Sequence, residues 1–372
     1  MRILILSCNT GEGHNSCAKA IKSAAERRGA QCDIVDALRF ISDGTSRFIS
    51  GWHVRLYRYF PKINGGAYRY AQDHPKILRD RDRASRLLNA SLRRLRSFIR
   101  EGNYDAVICA HLFPARMMTA IQRKEPLAVR TCFLATDYTA SPGCDQLDLD
   151  RYFIPDEGVA GEFLNMGIPR EKLVPSGIPV RREFYGRMDR RQAKAAAGIS
   201  PEHRHLLVMS GSMGAGNIPK IVEDLARRMD GNCELTVVCG TNKRMKQQLE
   251  QRTERLGRTN IHILGFVEDI PLLMDSADLY LTKPGGISTS EAWVKGLPMV
   301  LVDAVAGCEE PNLRFFTAMG GAATAKKPEE LAELCLSLLA DPERTGAMER
   351  ALSGGRERDA AEIICRVAAG EV

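Results

Sequence analysis

The chain has 372 residues, 44% of them hydrophobic and 27% charged, with a mean hydropathy of −0.23. That length predicts about two domains, and the composition excludes disordered, collagen-like and multi-span membrane classes. The formal net charge is +7, from 53 Lys and Arg against 46 Asp and Glu, an excess too mild to decide between nucleic acid, a membrane surface and neither.

Short apolar runs alternate with amphipathic stretches along the whole chain. The first series covers 2–8, 32–38, 104–111, 130–136 and 151–155, each continuous rather than alternating in polarity, as strands buried on both faces are. A helix is predicted over 17–28, after the first run. A stripe of Leu88, Leu92, Leu95 and Ile99 predicts another over 84–100, which would leave Arg86, Arg93, Arg94, Arg96 and Arg100 on a solvated back face. Glycines and prolines across 174–182 mark an interdomain passage, followed by a polar helical stretch at 187–197. A second series of runs then follows at 205–211, 234–240, 261–267, 278–283 and 299–303. The expected architecture is α/β: two Rossmann-like, doubly wound parallel-sheet domains whose carboxyl-end loops face one cleft. Their expected boundaries fall at 1–180 and 181–350, with a last helix in 351–372 expected to cross back to the first domain.

The eleven cysteines are scattered through apolar runs with no CxxC pair, and they read as small buried residues of a reducing cytosol. The opening run Met1–Leu6 is too short for a signal-peptide core, and no later segment approaches about 18 uninterrupted apolar residues, so any membrane role is expected to be peripheral.

Chemistry-bearing residues stand where the strands end. After the first strand, Thr10-Gly11-Glu12-Gly13-His14 supplies two glycines for a tight turn and close backbone approach to a ligand. His14 follows at a helix N-terminus, where a neutral imidazole can serve as general base; the alternative is a turn with a solvent histidine. Asp137, in Thr136-Asp137-Tyr138, would orient a base, hold an acceptor hydroxyl or cap a loop. His111 has a similar position, but Leu112-Phe113-Pro114 beside it suggests packing. In the second half, Lys283, Pro284, Gly285, Gly286, Ile287 and Ser288 lead from a strand into a helix, so backbone N–H groups and the helix dipole converge on an anion, with diphosphate the natural guest. Glu291 would reach a ribose diol. The same residues also fit a helix capped at Ser288 with Glu291 completing a capping box. Ser212 and Gly214, in a glycine-rich turn after 205–211, can bring amides to the same ligand. The loop Gly307-Cys308-Glu309-Glu310-Pro311-Asn312 is polar enough to bond sugar hydroxyls. No Walker loop is present.

Together, Gly265-Phe266-Val267-Glu268-Asp269, the 282–292 run, the 307–312 loop, Thr10–His14, Thr136–Tyr138 and the SGIPVR run at 176–181 resemble the diacylglycerol glycosyltransferases of glycosyltransferase family 28. These are the plant monogalactosyldiacylglycerol synthases and the bacterial processive diacylglycerol glucosyltransferases. The resemblance implies a GT-B fold and an inverting, metal-independent transfer of glucose or galactose from a UDP-sugar to diacylglycerol, with no cofactor. It implies that His14 is the base, that the backbone at Phe266 and Val267 holds uracil, that Gly286–Ser288 hold the diphosphate and Glu291 the ribose, and that Glu309, Glu310 or Asn312 hold the sugar. Cys308 departs from the pattern, since bacterial relatives tend to have glutamine there.

The charge also divides along the chain. Residues 39–100 hold fifteen basic against four acidic residues, a net of +11, which leaves −4 for the remainder. Trp52, Arg55, Tyr57, Arg58, Tyr59 and Phe60 interleave rings with cations, a mixture suited to the anionic cytoplasmic face of a membrane. No nucleic-acid motif accompanies the patch. Competing readings are a GT-B transferase with a polyprenyl-linked or glycopeptide acceptor, a UDP-N-acetylglucosamine 2-epimerase, and a non-catalytic membrane-bound sensor of UDP-sugar.

Overall fold

The structure, a computed structural model, describes residues 1–8, 12–41, 85–209, 218–302, 309–356 and 358–371. The chain divides into two compact units, Met1–Arg181 with Arg358–Val372, and Arg182–Val305 with Glu309–Glu357.

The first unit runs β1 (Arg2–Ser7), α1 (Glu12–Arg27), β2 (Gln31–Asp36), α2 (Ser85–Glu101), β3 (Ala106–Cys109), α3 (Leu112–Lys124), β4 (Arg130–Leu134), β5 (Arg151–Ile154), α4 (Ala160–Asn165) and β6 (Leu173–Pro175). All its strand pairs are parallel, in the order β2-β1-β3-β4-β5-β6. Ile3, Leu4, Ile5 and Leu6 of β1 are all buried, although successive side chains point to opposite faces; both faces of the sheet are therefore covered. One cover is α1, which buries Cys17, Ala18, Ile21, Ala24 and Ala25. It begins at Glu12, five residues before the predicted start, so His14 lies inside its first turn. Leu92, Leu95 and Ile99 of α2 are buried while Arg93, Arg94 and Arg100 are exposed, which makes those arginines a solvated back face.

Strand β6 occupies part of the stretch read from sequence as an interdomain passage. It is an edge strand, where Pro175 can sit because one row of its backbone groups pairs with nothing in the sheet. Just after it, Gly177 adopts φ +90°, and a Cβ there would stand 3.3 Å from Ala360 Cβ.

The second unit runs α5 (Arg190–Ala196), β7 (Arg204–Met209), α6 (Ile218–Arg228), β8 (Cys233–Val238), α7 (Lys243–Glu254), β9 (Ile261–Leu264), α8 (Ile270–Ser276), β10 (Leu279–Thr282), α9 (Gly286–Lys295), β11 (Met299–Leu301), α10 (Glu309–Met319), β12 (Ala322–Thr324), α11 (Pro328–Leu339) and α12 (Pro342–Ala351). Its strands are again all parallel, in the order β12-β11-β10-β7-β8-β9. The three-residue edge strand β12 has no counterpart among the predicted runs. A core of Leu206, Val208, Leu235, Val237, Leu279 and Leu281 on the strands packs with Ile221, Leu225, Leu331 and Leu338 of α6 and α11. Each such side chain, fully buried, contributes about 1.5–3 kcal/mol.

The chain ends in α13 (Ala360–Ala369), which belongs to the first unit and packs on α1. Arg28 pairs with Glu362 and Glu371, and Arg130 Nη1 donates to the Ala368 carbonyl at 2.7 Å. Ten cysteines are free and buried, and Cys308 lies outside the described residues. Burial pushes the Cys132 thiol up to about 12, so it stays protonated and acts as an apolar filler.

Candidate functional site

Open parallel sheets bind ligands beyond the carboxyl ends of their strands, where the strand order reverses. In the first unit that reversal lies between β1 and β3. His14 follows β1, in the first turn of α1, and His111 follows β3 as the N-cap of α3. The Ser7 hydroxyl, at the end of β1, donates to Asn15 Oδ1 at 3.0 Å and ties the start of α1 to the sheet. The His14 and His111 rings meet edge to face, with centroids 4.9 Å apart and planes at 76°. Thr136, just past β4, brings its Oγ1 to 3.3 Å from His14 Nδ1. Three strand ends thus converge on one half-buried histidine. His111 corrects its sequence reading: besides packing, its Nδ1 accepts the Phe113 N–H at 3.0 Å and its ring meets the candidate base. Asp137 is half-buried beside Thr136, and Gly13 lies next to His14 in the helix. Gly11 is outside the described residues.

In the second unit the order reverses between β7 and β10. The end of β10 is held on both sides: Thr282 Oγ1 donates to the Met209 carbonyl at 2.9 Å, and Val302 N–H donates to the Thr282 carbonyl at 2.8 Å. From there Lys283, Pro284 and Gly285 lead directly into α9. Gly285 is the N-cap, in extended conformation and without a side-chain capping bond, and the Gly285 carbonyl accepts the first intrahelical bond, from Thr289 N–H at 3.1 Å. The N–H groups of Gly286, Ile287 and Ser288 precede that bond and form the positive end of the helix. The capping box predicted at Ser288 and Glu291 does not form. The helix starts one turn earlier, and Thr289 and Ser290 turn their hydroxyls back onto the carbonyls of Gly285 (2.9 Å) and Gly286 (2.6 Å). Glu291 lies half-buried in the second turn.

Helix α10 braces this loop. Lys283 Nζ and Glu309 Oε1 are 2.9 Å apart, with side chains 13% and 5% exposed, and the Asn312 side-chain amide donates to the Pro284 carbonyl at 2.9 Å. Glu310 faces solvent. Phe266 follows β9 and is 72% exposed, with Val267 half-buried beside it, while Asp269 caps α8 by accepting the Leu272 N–H at 3.1 Å. An aromatic ring left in water next to a switch-point sheet is a surface for stacking a planar base. Ser212 and Gly214, like Trp52, Arg55, Tyr57, Arg58, Tyr59 and Phe60, lie outside the described residues. Among those described, no helix is long and apolar enough to cross a membrane.

Two doubly wound units, one with a histidine at its switch point and the other with an anion-ready helix end, have the architecture of the GT-B class. The fold is similar over 99% of both chains to MurG of Acinetobacter baumannii (TM-score 0.67, 14% identity). It is similar over 100% of this chain and 99% of the other to Anabaena HepE in complex with UDP (0.61, 16%), and over the full length of both to a Neisseria meningitidis UDP-GlcNAc 2-epimerase bound to UDP-GlcNAc (0.62, 14%). Residues 14–180 match monogalactosyldiacylglycerol (MGDG) synthase, and residues 200–352 match glycosyl transferases group 1. Processive diacylglycerol beta-glucosyltransferases from Bacillus licheniformis (28% identical, 97% of this chain, 93% of that one) and Bacillus subtilis (27%, 98%, 93%) match nearly end to end. The chain is thus similar in its first half to monogalactosyldiacylglycerol synthase and along nearly its whole length to processive diacylglycerol beta-glucosyltransferases.

Proposed function

We propose that this enzyme transfers glucose or galactose from a UDP-sugar to the free hydroxyl of 1,2-diacylglycerol, with inversion, at the cytoplasmic face of the membrane. The observation that carries this reading is the near end-to-end relation to processive diacylglycerol beta-glucosyltransferases, 28% identical over 97% of the chain.

The acceptor is an alcohol with a pKa far above neutrality, so its attack needs a positioned base. His14 takes the hydroxyl proton as the acceptor oxygen bonds to the anomeric carbon. The bond from that carbon to the diphosphate breaks on the opposite side, and its electron pair leaves on the UDP β-phosphate. Charge gathering there meets the N–H groups of Gly286, Ile287 and Ser288, which stabilise it without a metal ion. Phe266 and Val267 flank the uracil, Glu291 bonds the ribose, and Glu310, exposed at the start of α10, borders the sugar while the buried Glu309 and Asn312 brace the loop behind it. Asp137, beside the residue that contacts the base, holds the acceptor hydroxyl. The rings and cations of 52–60 bind anionic lipid, each cation contributing about 1 kcal/mol.

The test is purified protein on anionic vesicles containing diacylglycerol, given labelled UDP-glucose or UDP-galactose. Label should enter the organic phase with one of them, as a β-linked product, and transfer should persist in excess chelator. Label recovered only as free sugar would favour an epimerase instead. Reversing Arg55 and Arg58 to Glu should release the protein from vesicles, more so at low salt.

A further inference from the structure

We propose that Thr136 and His111 are positioning residues for His14, Thr136 selecting the ring tautomer that leaves Nε2 basic and His111 supplying a neighbouring ring that stays uncharged. The inference rests on the reading of His14 as the base.

An imidazole can take a proton on Nε2 only while Nδ1 carries its hydrogen. A hydrogen at Nδ1 is favoured when an acceptor faces it. Thr136 Oγ1, 3.3 Å from His14 Nδ1, can serve as that acceptor, since a hydroxyl oxygen has lone pairs to offer an N–H. It follows the end of β4 by two residues, and the start of α1 is itself held by Ser7 on Asn15, so both partners of the contact are anchored next to strand ends.

His111 contributes by what its own nitrogen already does. Its Nδ1 accepts the Phe113 N–H at the start of α3, so the ring carries its hydrogen on Nε2. Protonating Nδ1 would set two N–H groups against each other and uncap the helix. His111 is thereby kept neutral 4.9 Å from the His14 ring, and the imidazolium that forms on His14 when it takes the acceptor proton meets no second cation there. The edge-to-face seat also limits rotation of the base.

The test uses the vesicle assay with whichever donor the parent enzyme accepts. Thr136→Val keeps the shape of the side chain and removes the oxygen. It should lower kcat tenfold to a hundredfold, part of the roughly 10²- to 10⁴-fold that a positioned base contributes, with KM for the UDP-sugar within twofold. Thr136→Ser should restore kcat to within about threefold. His111→Asn retains an N-capping side chain and removes the ring; it should lower kcat similarly while the melting temperature holds. If valine disturbs the end of β4, Thr136→Ala read against Thr136→Ser gives the same comparison. Parent-like kcat in Thr136→Val, or no rescue by serine, overturns the role of Thr136, and parent-like kcat in His111→Asn overturns that of His111. His14→Ala is measured alongside. If it is inactive while the Thr136 and His111 variants are fully active, the positioning claim alone fails; if it transfers at the parent rate, the base assignment fails with it.

Discussion

Lys283 and Glu309 form an ion pair at 2.9 Å with almost no water around it, joining the loop before α9 to the first residue of α10. Such a pair holds geometry more than it adds stability, because desolvating both charges offsets most of their attraction, whereas removing one leaves the other's charge buried without that compensation. Glu309→Gln should therefore cost about 3 kcal/mol in denaturant unfolding, and Lys283→Met/Glu309→Leu should recover most of it. The double-mutant cycle measures the coupling, and a single mutant as stable as the parent would show that the pair does not brace the loop.

Asn312 is fully buried and its amide satisfies the Pro284 carbonyl. Asn312→Leu leaves that carbonyl without its partner, a loss of about 1–3 kcal/mol, and loosens the loop that leads into the proposed diphosphate site. The expected kinetic result is a higher KM for the UDP-sugar, larger than the change in affinity for vesicles.

Phe266 presents its ring to solvent, 72% exposed, at the end of β9. If it stacks on uracil, Phe266→Ala should weaken UDP binding by about 1–3 kcal/mol, roughly 5- to 150-fold, as read by calorimetry. Stability should hardly change, since the ring packs against little.

Much of this was legible in the chain. Ten strands announce themselves as continuous apolar runs because both faces of each sheet are covered. The edge strands Leu173–Pro175 and Ala322–Thr324 do not, being three residues long, and in the first a proline that reads as a breaker is tolerated at the sheet margin. Glycines 285 and 286 and His14 were visible as switch-point residues by their position after strands. The seats of Thr136 and His111 were not, since contacts across 122 and 97 positions of sequence depend on strand order rather than on any local pattern. The start of α9 was misplaced because Ser288 and Glu291 have capping spacing, while Thr289 and Ser290 bond backward inside the helix instead.

His205 opens β7 fully buried, between Thr236 Oγ1 at 2.9 Å on Nε2 and Ser276 Oγ at 3.1 Å on Nδ1, with Asp278, Lys194 and Glu234 nearby. Burial lowers its pKa from 6.5 to about 4. A histidine held neutral in the fold but free to charge when unfolded stabilises the fold fully above about pH 6.5, and that contribution is lost as pH falls toward 4. Between pH 7 and pH 5 the loss should be about 2 kcal/mol. His205→Gln, compared with the parent by urea unfolding at both pH values, should show a smaller acid loss; an equal loss would mean that His205 does not titrate this way.

The division of labour between the units is tested most directly by measuring UDP affinity and sugar transfer to diacylglycerol on the same preparation of His14→Ala. UDP should bind as tightly as to the parent, because its proposed contacts are on the second unit, while kcat should fall about 10²- to 10⁴-fold. Transfer at the parent rate would contradict the assignment of His14 as the base.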